Sequence, residues 1–295
     1  MNNIFKLLAL GDVCGEAGVA HLEKNLPAFV RYEGIGFVVA NGENSASNGI
    51  TMNMLDRLRK AGVDIVTGGN HIFDRLYQDR GIFDSPWLVR PCNYPEGDSC
   101  MGQGSAIVST PHGRVLVINV QGRVFFELSL DCPFRAVERE LDRNYGLYDI
   151  AVVDFHAEAT SEKFAMGAFA ANMRGSLEAG AVSRLAPRKP GQFGDDMNRP
   201  CIVAVWGTHT HVPTADEQIF AEGTGYITDI GMTGPTRSCL GIDPDVILGK
   251  FLTGLPARHI PANTSIRAQG AVFEVHADGI IPRGGICTNV YRVEF

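Results

Sequence analysis

The feature that most constrains this chain is a short apolar run that ends in two histidines. Residues 202–206 are apolar and rich in β-branched side chains, and a glycine ends the run, which predicts a buried strand. His209 and His211 follow two positions apart, so in extended backbone their side chains point to the same side. Two such imidazoles can share a metal ion, or they can be solvated loop histidines. The metal site is favoured if other parts of the chain supply further metal-binding side chains.

Other predicted strands also end in side chains that can bind metal. Residues 5–10, 36–40 and 63–67 are predicted strands of successive β-α units, and residues 148–158 form a later one. Open α/β sheets place their chemistry at the carboxyl ends of such strands. Turns and helix caps explain one polar strand end, but not several in series. The side chains at these ends are Asp12, Glu43, Asn44, Asn70, His71 and His156.

A glycine-rich turn after the first strand raises the alternative of a nucleotide-binding loop. The glycines of residues 11–18 lack the G-x-G-x-x-G spacing, and the turn has no Gly-Lys-Ser/Thr. The sequence therefore disfavours a Rossmann or P-loop site and leaves Asp12 as a site carboxylate or a helix cap.

Composition excludes several classes of partner. The 295 residues can bury a sizeable core, and the net charge of -7 argues against non-specific binding to nucleic acid or anionic membranes. A small phosphorylated substrate remains compatible with that charge, since a local metal charge can outweigh it. Residues 1–10 lack the pattern of a signal peptide, and the 7 scattered cysteines form no C-x-x-C pair. We therefore expect a cytoplasmic protein with reduced thiols.

The chain contains no linker-like stretch and no tandem repeat. This favours a single domain over residues 1–295, with a surface insertion at about 175–199 that is interrupted by prolines and glycines. The insertion is interpreted as a lid or an oligomer contact.

The collected side chains combine carboxylate, amide and imidazole groups. This mixture suits manganese, iron or zinc better than calcium alone, and the absence of thiolates disfavours structural zinc. There are more ligands than one ion needs. Two ions about 3.5–4 Å apart would need a bridging carboxylate, and bound metal lowers the pKa of water to about 7, which supplies a hydroxide nucleophile. Because the side chains outnumber the ligands of one ion, we expect His209 and His211 to bind separate ions.

The ordered motifs of the chain resemble those of calcineurin-like metallophosphoesterases. The motifs are Gly11-Asp12, Gly42-Glu43-Asn44, Gly69-Asn70-His71, His156 and Gly207-Thr208-His209-Thr210-His211. Two departures, Cys14 in the usual histidine position of the first motif and Gly-Glu-Asn in the bridging motif, resemble the YmdB-like branch. The resemblance implies an α/β fold of four layers, α/β/β/α, in which two mixed sheets are flanked by helices.

The resemblance also implies roles for individual residues. Asp12 and His211 would hold a first metal, Glu43 would bridge, and a second metal would be held by Asn70, His156 and His209. Asn44 would position a phosphate oxygen, and His71 would be the general acid or would stabilise charge in the transition state. Cys14 is better interpreted as a packed small hydrophobe than as a ligand.

The implied activity is a metal-dependent phosphodiesterase acting on 2′,3′- or 3′,5′-cyclic nucleotides by attack of a metal-bridging hydroxide. Its cofactors would be two divalent or trivalent ions, iron or manganese before zinc or magnesium. We expect a small phosphorylated substrate, no stable nucleic acid or membrane partner, and allow a homo-oligomer. A nucleotidase or protein phosphatase on the same fold, and a non-catalytic metal-binding regulator, stay open. An amidohydrolase is disfavoured, because its His-x-His belongs near the N-terminus.

Overall fold

The computed structural model describes residues 4–95, 97, 100–174, 202–220, 223–276 and 285–295. The predicted insertion at about 175–199 lies outside the described residues. None of the helices described is both long enough and apolar enough to cross a membrane.

The described elements alternate between strands and helices along much of the chain. The strands are β1 (Ile4–Leu10), β2 (Asp12–Val13), β3 (Phe37–Asn41), β4 (Ile65–Thr67), β5 (Leu88–Val89), β6 (Ser105–Thr110), β7 (Gly113–Gln121), β8 (Ile150–His156), β9 (Ile202–Thr208), β10 (Gln218–Ile219), β11 (Gly225–Ile227), β12 (Met232–Pro235), β13 (Ile266–His276) and β14 (Ile286–Glu294). The α-helices are α1 (Gly15–Glu33), α2 (Met52–Ala61), α3 (Pro133–Arg143), α4 (Thr160–Arg174) and α5 (Pro244–Thr253).

The strands form two mixed sheets. The first runs in the order β2-β12-β13-β1-β3-β4-β5, with β14 paired to β13, and β1, β3, β4 and β5 are parallel. The second runs β10-β11-β9-β8-β7-β6, and β7, β8, β9 and β11 are parallel. In each sheet the parallel strands bring several carboxyl ends to one edge.

Apolar side chains fill three layers of core around the two sheets. In β1, Leu7 and Ala9 point into the space between the sheets, whereas Leu8 and Leu10 point towards α1 and α2. The outer face of the second sheet packs in the same way against α3 and α4. The predicted four-layer α/β/β/α sandwich is therefore confirmed.

Residues 74–83 are helix-like in sequence, which predicts a helix, but this prediction is wrong. In the structure this stretch consists of turns followed by a short 3₁₀ helix, Arg80–Asp84. The carboxylate of Asp79 accepts a hydrogen bond from the backbone N–H of Met52, 2.6 Å away, at the start of α2. Tertiary contacts of this kind override the weak preference of a local sequence for a helix.

Candidate metal centre

A cluster of four polar side chains lies where the carboxyl ends of the two sheets meet. Nε2 of the buried His156 is 3.1 Å from Oε1 of Glu43, 2.9 Å from Oδ1 of Asn70 and 3.1 Å from Nδ1 of His209. Ligand atoms of Glu43, His156 and His209 all lie within 4.8 Å of one another, close enough to surround a single ion. Two of these side chains follow strands of the first sheet and two belong to the second.

A second group of side chains adjoins the first at Glu43. Nε2 of His211 lies 3.7 Å from Oδ1 of Asp12 and 3.4 Å from Nδ2 of Asn44. The same Asn44 nitrogen lies 3.5 Å from Oε1 of Glu43. Glu43 therefore stands between the two groups, as a bridging carboxylate would.

The second nitrogen of His156 is held by a buried polar chain. Thr208 donates its hydroxyl to Asp154 over 2.8 Å, and its oxygen lies 2.9 Å from Nδ1 of His156. Since the threonine hydrogen is directed at Asp154, His156 donates Nδ1–H to the threonine oxygen. This assignment leaves the lone pair of Nε2 facing the cluster, which is the arrangement of a metal-ligating histidine.

The imidazoles of His209 and His211 are oriented in the same way, with one nitrogen towards the cluster and the other towards an acceptor. His209 directs Nδ1 into the cluster and has Nε2 3.2 Å from the carboxylate of Glu158. His211 directs Nε2 into the cluster and has Nδ1 3.3 Å from the carbonyl oxygen of Leu240. Each ring thus has an acceptor for its outer nitrogen and an inner nitrogen directed into the cluster of candidate ligands.

The segment that carries His209 and His211 is not extended, which corrects the expectation that their side chains share one side of a strand. β9 ends at Thr208, and the φ angles of His209 and His211 are 98° and 61°. Residues other than glycine occupy this left-handed region at a cost of about 1–3 kcal/mol and usually where function requires it. The turn sends the two rings to different groups.

The charges of the cluster are strongly coupled. Burial and, after it, the charge of the nearby His156 lower the pKa of His209 to about 3. Burial opposes ionisation of Asp12, but the nearby rings of His211 and His156 hold its pKa well below the usual range. The pKa values of His156 and His211 are raised instead, because the effect of burial is outweighed by contacts of His156 with Glu43, and of His211 with Cys14 and Asp12. A neutral imidazole and an ionised carboxylate are the forms that bind metal, so binding would displace any proton held by these two rings.

Two further observations fit a cation at this place. Oδ1 of Asp12 is buried and has no hydrogen-bond partner among the described residues, which is costly unless something else satisfies it. Gly69 leaves space that a Cβ would fill, since an added Cβ would lie 2.3 Å from Oε2 of Glu43 and 2.4 Å from Nε2 of His156. The donor set therefore fits metal ions.

His71 lies at the edge of the centre. Its backbone N–H donates to Oε2 of Glu43 over 2.9 Å, and its ring is one-third exposed. Nδ1 of the ring lies 2.8 Å from Oδ2 of Asp74, which fixes the ring orientation. Cys14 lies on the far side of His211, 3.8 Å from Nδ1, and also contacts Met232, as expected for a packed side chain.

The structure brings all eight predicted site residues together, but it also adds partners that the sequence analysis missed. Glu158 and Leu240 hold outer histidine nitrogens, and Asp74 orients His71. Asp154 shares a strand face with His156. Burial raises its pKa to about 6, while hydroxyl groups of threonines stabilise its charge. Its spacing of two residues from His156 predicts that the two side chains share one face of the strand, so Asp154 did have a signal in the sequence.

Comparison with known proteins decides the family. Residues 8–180 and 199–281 match the family model described as YmdB-like protein. The chain belongs to this family. A relative from Bacillus subtilis, named 2′,3′-cyclic-nucleotide 2′-phosphodiesterase, is 36% identical over 271 residues, 92% of this chain and 91% of the relative.

Solved structures agree with this assignment. A protein from Thermus thermophilus superposes with a TM-score of 0.79 at 32% identity and covers 99% of both chains. A novel phosphatase from Mycoplasma pneumoniae superposes with a TM-score of 0.82 at 26% identity and covers 100% of this chain and 94% of that one. The predicted resemblance to the YmdB-like branch is confirmed, and so is the predicted class of enzyme, a phosphoric ester hydrolase.

Proposed function

We propose that this enzyme is a phosphodiesterase that depends on two metal ions and hydrolyses cyclic nucleotides, with 2′,3′- or 3′,5′-linked phosphates as substrates. The observation that carries the proposal is the orientation of three imidazoles, the buried His156 and the partly buried His209 and His211. Their outer nitrogens face hydrogen-bond partners, and their inner nitrogens converge on the group that contains the buried carboxylates of Asp12 and Glu43. The activity named for the Bacillus subtilis relative supports the choice of substrate.

The proposed ligands divide into two sets that share Glu43. Asp12 and His211 hold one ion, and the other is held by Asn70, His156 and His209. Their carboxylate, amide and imidazole groups favour iron or manganese, with zinc or magnesium as alternatives. When bound, the ions supply a nucleophile at neutral pH and neutralise charge on the phosphate.

The remaining roles belong to the protein's own polar groups. Nδ2 of Asn44, which lies close to Glu43 and His211, would donate a hydrogen bond to a phosphate oxygen. Because Asp74 holds Nδ1 of His71, Nε2 is the nitrogen from which a proton would pass to the leaving oxygen. Asp74 therefore acts as an orienting group.

The same proposed metal centre is also compatible with other functions. A nucleotidase or protein phosphatase would use the same ligands on a phosphomonoester, and a metal-binding regulator would bind ions without turnover. Rates on cyclic nucleotides, nucleoside monophosphates and a phosphopeptide separate these functions. The single-domain organisation, the cytoplasmic location and the homo-oligomeric state stay predictions.

The His71→Ala variant tests the proposed general acid. We expect kcat for cyclic nucleotides to fall by about 10²–10⁴-fold, because the leaving alkoxide then lacks a proton donor. Hydrolysis of an aryl phosphodiester should fall much less, since a phenolate leaves without protonation. Both rates are measured on protein whose metal content is determined by elemental analysis.

The exposed turn residue His112 provides the matched control for this experiment. His112→Ala should keep metals and both rates. Equal losses on the two substrates, or loss of metal from His71→Ala, would rule out a role for His71 as the acid.

Gly69→Ala tests the space at the centre. Its Cβ would collide with Glu43 and His156, so we expect Mn²⁺ affinity, measured by calorimetry on metal-free protein, to fall by about tenfold or more. Gly81→Ala is the control, because a Cβ there meets nothing within 4 Å. Unchanged affinity in Gly69→Ala would place the metals elsewhere.

A further inference from the structure

A buried ion pair lies beneath the segment that carries His209 and His211. Nζ of Lys163, on α4, is 2.6 Å from Oδ2 of Asp229, and both side chains are 1% exposed. Removing two such charges from water costs several kcal/mol per ion, so a buried pair is weak evidence for stability. A role in fixing the position of other groups would explain its presence better.

We infer that Lys163 and Asp229 are positioning residues for the metal-binding turn. Lys163 anchors the Asp229 carboxylate, and Asp229 holds His209 and His211 in the backbone conformation that sends their rings to separate ions. The inference rests on the proposed role of these two histidines as ligands. Neither Lys163 nor Asp229 contacts metal or substrate in this assignment.

Asp229 makes hydrogen bonds to Thr210 within the turn, to Thr214 after it and to Gly231. Its Oδ2 accepts the hydroxyl of Thr210 over 2.8 Å and the backbone N–H of Thr210 over 3.3 Å. Its Oδ1 accepts the N–H of Gly231 over 2.9 Å. Its backbone N–H donates to the hydroxyl of Thr214 over 3.0 Å, and its carbonyl accepts the N–H of Thr214 over 3.0 Å. One aspartate thus binds residues between and after the two histidines.

The conformation of the turn needs such support. Thr210 is bound by Asp229 and lies between His209 and His211, which both have left-handed backbone conformations. Strained residues of this kind persist only where surrounding contacts over-determine them. Without the hydrogen bonds to Asp229, the turn could relax and withdraw both inner nitrogens from the carboxylates.

The lysine stem is packed against the end of β9. A Cβ on Gly207 would lie 2.7 Å from Cδ of Lys163 and 1.8 Å from the carbonyl oxygen of Thr228. The absence of a side chain at Gly207 therefore lets the lysine pass directly over the strand end and reach Asp229. The glycine at position 207 and the packing of the lysine stem therefore both favour the ion pair between Lys163 and Asp229.

The experiment measures Mn²⁺ binding by calorimetry on metal-free protein, with thermal unfolding in parallel. In Lys163→Met the side chain keeps its approximate length but loses its charge, and we expect weaker binding at both metal positions, by about 10–100-fold. Thr210→Val, which removes only the hydroxyl that Asp229 accepts, should weaken both positions in the same direction. Thr210→Ser keeps that hydroxyl and should bind Mn²⁺ as the wild type does.

Further variants separate positioning from general destabilisation. Leu22→Ala, in the core between α1 and the first sheet, should lower the unfolding temperature without changing Mn²⁺ affinity. If Lys163→Met does not fold, the Lys163→Met/Asp229→Asn double variant and Thr210→Val decide the question, because they leave no unpaired buried charge. Wild-type affinity in Thr210→Val and in the folded lysine variant would overturn the inference. Failure of the wild type to bind Mn²⁺ would instead overturn the proposed metal centre.

Discussion

The Glu43→Gln variant should lose both metal ions and at least about a thousandfold in kcat, which corresponds to about 4 kcal/mol of activation free energy. Oε1 of Glu43 lies 3.1 Å from Nε2 of His156 and 3.5 Å from Nδ2 of Asn44, so its charge faces both groups. Glutamine keeps the shape of the side chain but removes its charge, and it adds an N–H₂ donor where the N–H groups of Asn44 and His71 already need an acceptor. Metal content by elemental analysis and steady-state hydrolysis of a cyclic nucleotide measure the effect.

Glu140 provides a matched control for this substitution. It is also a buried glutamate, on α3, where it accepts a hydrogen bond from Ser105 over 2.6 Å. Glu140→Gln should keep both metals and the wild-type kcat. Retention of two ions in Glu43→Gln would contradict the bridging role.

His209→Gly and His211→Gly should each lose one ion and keep most of the other. Glycine is chosen because it accepts the positive φ of both positions without strain. Nδ1 of His209 faces His156, whereas Nε2 of His211 faces Asp12, so the two rings serve different groups. We expect kcat/KM to fall by about 10²-fold or more in each variant, since charge stabilisation needs both ions.

The stoichiometry of bound Mn²⁺ decides this second prediction. A fall from two ions to one in each variant supports separate ions. Loss of both ions from one variant with none from the other, or a crystal structure with both rings on one ion, would refute the division. The two single variants are controls for each other, because the substituted residues are two positions apart on the same turn.

The sequence predicts the sheets well because their strands are marked by unusually clear signals. Short apolar runs that end in polar side chains identify β1, β3, β4, β8 and β9, and parallel pairing then brings those polar ends together. α5 escaped prediction because none of its side chains is buried. A helix without a core-facing stripe leaves no hydrophobic period in the sequence.

The side chains that meet in the candidate centre could be predicted, but their supporting contacts could not. His156, His209 and His211 follow strands in a recognisable order. Glu158 and Leu240 are reached only through the fold, and Leu240 contributes a backbone carbonyl, which any residue type could supply. The sequence likewise does not predict the left-handed turn, since histidine has no strong preference for a positive φ angle.

The pairing of β1 sets the order in which the centre can be assembled during biosynthesis. Asp12 is the earliest proposed ligand to be translated, yet it follows a strand that pairs along its whole length with β13, near the end of the chain. Asp12 itself pairs with Met232 of β12. Because a domain folds as a unit, this carboxylate reaches its final position only when β12 and β13 are available for pairing. The proposed metal centre can therefore be completed only after β13 has been synthesised.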